Sequence, residues 1–291
     1  MNAIEIGEAT SEHFPGIARL IAAQNGTPEF QCIHSGEGYA SILQTMRKWD
    51  DVAEIAFAIA IQDGRLVGVL GSEFDRDLGR GWLWGPFALR QNWEELAADL
   101  LEKLLAMLPP SIRRLDFFLN IANQRAYRFY LGHGFQESER SRVYIAPRPA
   151  APLALPMPGS PLQPEQANSF CALHDTIFPQ TYYTGQDILD QLDDDHQVFV
   201  CSDGIDVLGY VYAILDESAE GYVEFLGVRE DLRGQGLGKR LLLTALHWLF
   251  EVKHVPAVGL TVSDDQANAR SLYEKVGFRV KYTGLSARKD W

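Results

Sequence analysis

The residues best placed to do chemistry form one short run, Arg233-Gly234-Gln235-Gly236-Leu237-Gly238-Lys239, between a stretch of strand character and an amphipathic helix. Glycines let the main chain approach a ligand closely with several N–H groups turned outward. A helix start adds unpaired N–H donors and a partial positive charge. Together these suit a diphosphate, and Arg233 and Lys239 put positive charge at its rim. Two familiar phosphate patterns fail here. A Walker A loop needs glycine where Arg233 stands and Ser or Thr where Arg240 stands. A G-x-G-x-x-G fingerprint needs its third glycine where Lys239 or Leu241 stands.

Other candidates surround this run. Glu224 lies on the preceding strand and, by period-two alternation, is expected to share a face with Tyr222, Leu226 and Val228. Tyr273 lies on a later helix. The stretch FPQTYYTG holds Phe178, Tyr182 and Tyr183, and such an aromatic wall can hold a cationic amine. His174 has no spaced partner and is weak as a catalytic or metal residue, and Asp193-Asp194-Asp195 reads as a solvated turn. Cys32, Cys171 and Cys201 are far apart and odd in number. They make neither a disulfide framework nor a zinc pattern, so no metal is expected and a reducing cytoplasm is.

The elements that must position these residues occur twice. Each half begins with a polar-capped helix, Ser11–Asn25 and Pro164–Phe178, followed by a second, Gly38–Trp49 and Gly185–Leu192. Hairpins follow at Ile55–Ile61 with Leu66–Glu73 and at Gln197–Ser202 with Val207–Leu215, turning at Asp63-Gly64 and Asp203-Gly204. Next come a strand (Trp82–Leu89; Tyr222–Val228), a long amphipathic helix (Trp93–Leu108; Gly236–Glu251) and another strand (Leu115–Leu119; Val258–Val262). Ala126, Tyr130 and Gly134-Phe135 stand 143 positions before Ala269, Tyr273 and Gly277-Phe278. The chain thus reads as a tandem duplication of one α/β (α+β) unit, each copy a mixed, mostly antiparallel sheet flanked by helices. The proline-rich linker Ala146–Pro164, with a short edge strand at Leu153–Met157, sets the expected domains at 1–149 and 150–291.

The run R-x-x-G-x-G after a strand resembles the coenzyme A loop of the GNAT superfamily of N-acetyltransferases. Leu226-Gly227-Val228 is similar to the apolar-x-Val that precedes that loop and pairs with the pantetheine arm. Ala269-Arg270-Ser271-Leu272-Tyr273-Glu274-Lys275-Val276-Gly277-Phe278 resembles the family's A-x-x-apolar-Tyr-x-x-x-Gly-Phe helix. The likeness covers about Gly159–Trp291. It implies an acetyl-CoA-dependent N-acetyltransferase, its cofactor held by Leu226, Gly227, Val228, Arg233, Gly234, Gln235, Gly236, Leu237, Gly238, Lys239 and Tyr273. The family often has Asn seven residues before that Tyr; here Gln266 stands there and Asn268 lies two residues on, so either is a candidate contact. By the same resemblance Glu224 is the general base, Tyr273 the proton donor to the coenzyme A sulfur, and a main-chain N–H near Val228 the oxyanion donor. Phe178, Tyr182 and Tyr183 would line the acceptor pocket.

The first copy lacks the cradle. Where Arg233, Gly234, Gly236 and Gly238 stand in the second copy, it has Asn92, Trp93, Glu95 and Ala97, and Glu94 and Glu95 place negative charge there. Such a degenerate copy beside a competent one is similar to the plan of the mycothiol synthases. The first copy's expected task is to cover or shape the second.

Composition bounds the partners. Hydrophobic residues make up 46% of 291 and charged residues 22%, a globular balance. A net charge of -13 argues against nucleic acid and is compatible with a cationic amine of a small molecule or peptide. No run approaches the roughly 20 apolar residues of a membrane span, and the N-terminus has no signal-peptide pattern. A cytoplasmic monomer or homodimer is expected, since tandem copies can serve as an internal pseudo-dimer. The alternative to an enzyme is an acyl-CoA-binding sensor without turnover.

Overall fold

The computed structural model describes residues 3–36, 38–89, 92–151, 159–179, 181–215 and 220–291. In the first half the apolar alternations become β1 (Glu5–Glu8), β2 (Ile55–Gln62), β3 (Arg65–Asp75), β4 (Arg80–Ala88), β5 (Arg114–Asn120) and β6 (Gln136–Pro147). The amphipathic stretches become α1 (Phe14–Asn25), α2 (Tyr39–Asp51), α3 (Trp93–Met107) and α4 (Gln124–Gly132). The second half repeats the order: β7 (Ser160–Pro161), α5 (Ala167–Ile177), α6 (Gly185–Asp190), β8 (His196–Asp203), β9 (Asp206–Leu215), β10 (Gly221–Val228), α7 (Leu237–His247), β11 (Ala257–Ser263), α8 (Ala267–Val276) and β12 (Arg279–Asp290). The edge strand expected at Leu153–Met157 lies outside the described residues. Among the described ones β7 takes an edge, pairing Ser160 with Val200.

Two compact units result, Met1–Ser141 with Tyr282–Trp291, and Arg142–Lys281. They differ from the linear division at 149/150 because the last strand of each repeat is exchanged. In the first unit the order is β1-β2-β3-β4-β5-β12, with Gly284–Asp290 antiparallel to β5. In the second, β6 flanks β11 in the order β6-β11-β10-β9-β8-β7. In both, one pair is parallel (β4 with β5, β10 with β11), and neighbours on the hairpin side are antiparallel. The mixed α/β fold expected from the sequence is therefore present in each unit.

Each sheet buries apolar side chains against helices, the main drive to fold. In the second unit, one face packs Leu241, Leu242, Ala245 and Leu249 against Val223, Val258 and Leu260. The other packs Phe170 and Ile188 against Val198, Tyr210, Tyr212 and Phe225. The helix expected to run to Glu251 widens into a π turn at Trp248–Val252. No helix among the described residues is long and apolar enough to cross a membrane.

Candidate functional site

The site grows from a disruption in β10. Its parallel pairing with β11 covers only Gly221, Tyr222 and Val223. On the other side, the antiparallel register to β9 shifts between Val223 and Phe225, opposite Ala213 and Tyr212, which leaves Glu224 as the extra residue of a bulge. A bulge bends its strand and raises its twist. Beyond it, β10 carries its free edge away from β11 and opens a gap between two neighbouring strands.

The bulge corrects the expected alternation. Gly221 and Val223 face α7, and Tyr222 and Glu224 share the opposite face, as read from the sequence. Leu226 and Val228 do not share it. They pack with the α7 cluster, whereas Phe225 lies with the α5 cluster, and a Cβ on Gly227 would meet the Tyr210 ring at 2.6 Å and Ile177 at 3.0 Å. One extra residue reverses every later side chain.

After β10 comes the glycine turn. Gly234 has φ 78° and Gly236 φ 85°, both left-handed, the conformation glycine adopts without steric cost. A Cβ at either position would meet nothing within 4 Å, so both backbones border open space. The first amide of the turn with a main-chain acceptor is Arg240, bonded to Gly236 O at 3.1 Å. The six amides from Gly234 to Lys239 have no acceptor among the described residues. Gly238 differs: a Cβ there would lie 3.3 Å from Leu272, so its small size serves packing of α7 on α8. Arg233 donates Nε–H to Val228 O at 3.1 Å, which ties the turn to the strand end. Lys239 and Arg240 are exposed beside it.

Tyr273 comes from α8. Its ring is buried near Tyr144 (6.2 Å) and Phe278 (6.0 Å), and its hydroxyl bonds to no described residue. Burial pushes its pKa up to about 12. Tyr144, from β6, donates its hydroxyl to Glu274 at 2.9 Å, and Asp264 accepts from Arg142 at 2.7 Å, so strand β6 braces the helix that carries Tyr273. Gln266 and Asn268 are both exposed at the start of α8, and Gln266 makes no side-chain cap bond.

The acceptor side is aromatic. Phe178 and Tyr182 converge on Phe225 at 5.1 and 5.3 Å, and Tyr182 meets Tyr183 at 4.9 Å. Tyr182 donates its hydroxyl to Glu224 Oε2 at 2.5 Å. Crowding by protein atoms raises the Glu224 carboxyl above its usual range, and the Tyr182 bond draws it part of the way back. The residue nonetheless keeps partial solvent access.

His174, which the sequence marks as weak for catalysis or metal binding, is fully buried beneath this wall. Its Nε2 lies 2.9 Å from Tyr183 O, which can only accept, so Nε2 carries the proton. Its Nδ1 pairs with the Tyr210 hydroxyl at 2.5 Å. The pair anchors the loop bearing Tyr182 to α5 and β9. The only sequence signal was two tyrosines, Tyr210 and Tyr212, at strand spacing on one apolar face.

In the first unit the matching features are consumed by packing. Tyr130, the counterpart of Tyr273, is fully buried and donates its hydroxyl to Gly85 O at 2.9 Å. Asn123 caps α4 by accepting from Ala126 N at 3.3 Å. Trp93 is buried at the start of α3 with the Arg125 guanidinium 4.4 Å over its ring. Tyr130→Phe therefore removes a buried hydrogen bond, and thermal unfolding should show a loss of about 1–2 kcal/mol.

Residues 167–278 match the family model described as the acetyltransferase (GNAT) family. A stretch of 93 residues is 33% identical to a mycothiol acetyltransferase of Rhodococcus opacus and 32% identical to one of Rhodococcus jostii. Each match covers 30% of this chain and 30% of the relative, so it spans under a third of their length. A GCN5-related N-acetyltransferase from Sphaerobacter thermophilus superposes with a TM-score of 0.70 at 18% identity, over 99% of this chain and 95% of its own. A tandem GNAT protein from the clavulanic acid biosynthesis pathway gives 0.69 at 13%, over 99% and 98%. At these identities the structural likeness is one of fold.

Proposed function

We propose that this chain transfers an acetyl group from acetyl-coenzyme A to a primary amine of a small molecule or peptide, and that its second unit, where residues 167–278 match the acetyltransferase (GNAT) family model, does the work. The observation that carries this reading is the row of six unpaired amides, Gly234 to Lys239, over two left-handed glycines bordering open space. That donor set fits a pyrophosphate: aligned N–H groups at a helix start, with Arg233, Lys239 and Arg240 cations nearby and no side chain in the way.

When bound, acetyl-coenzyme A supplies the activated thioester. The protein's own groups do the rest. The free edge of β10 past the bulge offers main-chain amides, near Val228, as partners for the pantetheine arm and the thioester carbonyl. Glu224 accepts a proton from the incoming ammonium, directly or through water, and its raised pKa brings it closer to the operating pH of a base. Tyr182 orients the carboxylate, and the Phe178, Tyr182 and Tyr183 rings hold the cationic acceptor until it loses that proton. Tyr273, on the opposite face of β10, holds a proton for the departing sulfur; its pKa of about 12 keeps it a donor at neutral pH.

Incubation with acetyl-coenzyme A and a panel of primary amines, with free thiol as the readout, tests the reading. Thiol release that depends on the amine supports it. Tight coenzyme A binding with no turnover on any amine contradicts it and favours a sensor. A pH profile adds a check. Glu224 must be ionised to act as a base, so kcat/KM should fall as pH drops through its raised pKa. Glu224→Gln should abolish that acid limb and lower kcat about tenfold to a hundredfold at neutral pH. An unchanged limb would assign it to another group.

A further inference from the structure

Tyr210 and Tyr212 stand two residues apart on β9 and point to one face, where both join the cluster around Phe170, Ile188 and Phe225. They are equally buried, at 0% and 1% exposure. Their hydroxyls differ. That of Tyr210 is paired with His174 at 2.5 Å. That of Tyr212 is enclosed and has no hydrogen-bond partner among the described residues. A buried donor left unpaired carries its full desolvation penalty, and phenylalanine would fill the same space without it.

The place of this hydroxyl gives it a use. Tyr212 pairs with Phe225, the residue just after the bulge, so Glu224 projects beside the Ala213–Tyr212 step. The charges of Glu224 and Asp193, together with Tyr183, act on the Tyr212 phenol and reinforce the effect of burial in holding its proton. Tyr212 is thus a firm donor on the strand step beside the carboxylate that Tyr182 orients, and it makes no bond to that carboxylate. The Glu224 carboxylate disfavours an anionic partner there.

We infer that the Tyr212 hydroxyl is a specificity contact for the acyl acceptor, donating to a neutral oxygen carried close to the reacting amine. It selects 1,2-amino alcohols and α-amino amides over plain alkylamines, and rejects free amino acids, whose carboxylate would meet Glu224. This rests on the acetyl-transfer reading of the same site.

The test compares wild type and Tyr212→Phe with ethanolamine, glycinamide, glycine and n-propylamine as acceptors, alongside thermal unfolding of both proteins. Wild type should prefer ethanolamine and glycinamide over n-propylamine by about fivefold or more in kcat/KM, the worth of one hydrogen bond, and should use glycine least. Tyr212→Phe should lose the preference and keep its KM for acetyl-coenzyme A. Its Tm should match or exceed that of wild type by about 2 °C or more, because an unpaired hydroxyl has gone. A preference that survives in Tyr212→Phe overturns the assignment, and so does a lowered Tm, which would mean that the hydroxyl is held structurally. If wild type acetylates these amines without preference, only the Tyr212 role falls. If it acetylates none of them while coenzyme A still raises its Tm, the amine-acceptor reading falls and takes this inference with it.

Discussion

Gly236→Glu should fold normally and lose coenzyme A affinity by a hundredfold or more in calorimetry. The fold survives because a Cβ at residue 236 meets no protein atom within 4 Å. The left-handed φ of 85° costs a non-glycine residue about 1–3 kcal/mol, which shows as a modest drop in Tm. Binding suffers far more, since the side chain enters the space the turn leaves open and puts a carboxylate where a diphosphate would lie. Two like charges about 4 Å apart repel by about 4 kcal/mol at an effective dielectric of 20, which alone approaches a thousandfold. Gly236→Ala separates the two effects: it carries the same backbone strain without the charge and should weaken binding much less. Equal affinity for Gly236→Glu and wild type would remove the cradle from the account.

Tyr273→Phe should lower kcat about 10²–10³-fold while the KM for acetyl-coenzyme A changes little. The ring is held by Tyr144 and Phe278, contacts that phenylalanine keeps, and the hydroxyl bonds to none of the described residues, so its loss strands no buried partner among them. Stability should therefore be nearly unchanged. The mirror variant in the first unit behaves the opposite way, because Tyr130 spends its hydroxyl on Gly85 O. One residue type at matching positions thus yields a kinetic defect in one unit and a stability defect in the other. Equal rates for Tyr273→Phe and wild type would leave the leaving sulfur without a proton donor from α8.

Much of this was legible in the sequence because it is local. Glycine spacing marked the turn, and 3.6-residue apolar periods marked the helices that follow each β strand of the gap. The parallel placement of Tyr130 and Tyr273 exposed the duplication. What was not legible depends on pairing at a distance. No proline or glycine marks the bulge at Glu224, so strict alternation put Leu226 and Val228 on the wrong face. The exchange of β6 and β12 is a choice of partner between two similar strands, which neither strand's own pattern reveals. His174 has no spaced partner in the sequence, and nothing in the strand pattern sets Tyr212 apart. Only their surroundings separate a histidine that is fully hydrogen-bonded from a tyrosine that is not.

The most direct test is amide hydrogen exchange across the turn, followed with and without coenzyme A. The amides of residues 234–239 have no acceptor among the described residues, so they should exchange rapidly in the free chain and slow markedly when coenzyme A is added, while those at the start of α3 stay unaffected. If coenzyme A binds and the turn still exchanges at its free rate, the diphosphate is held elsewhere and the account is wrong at its root.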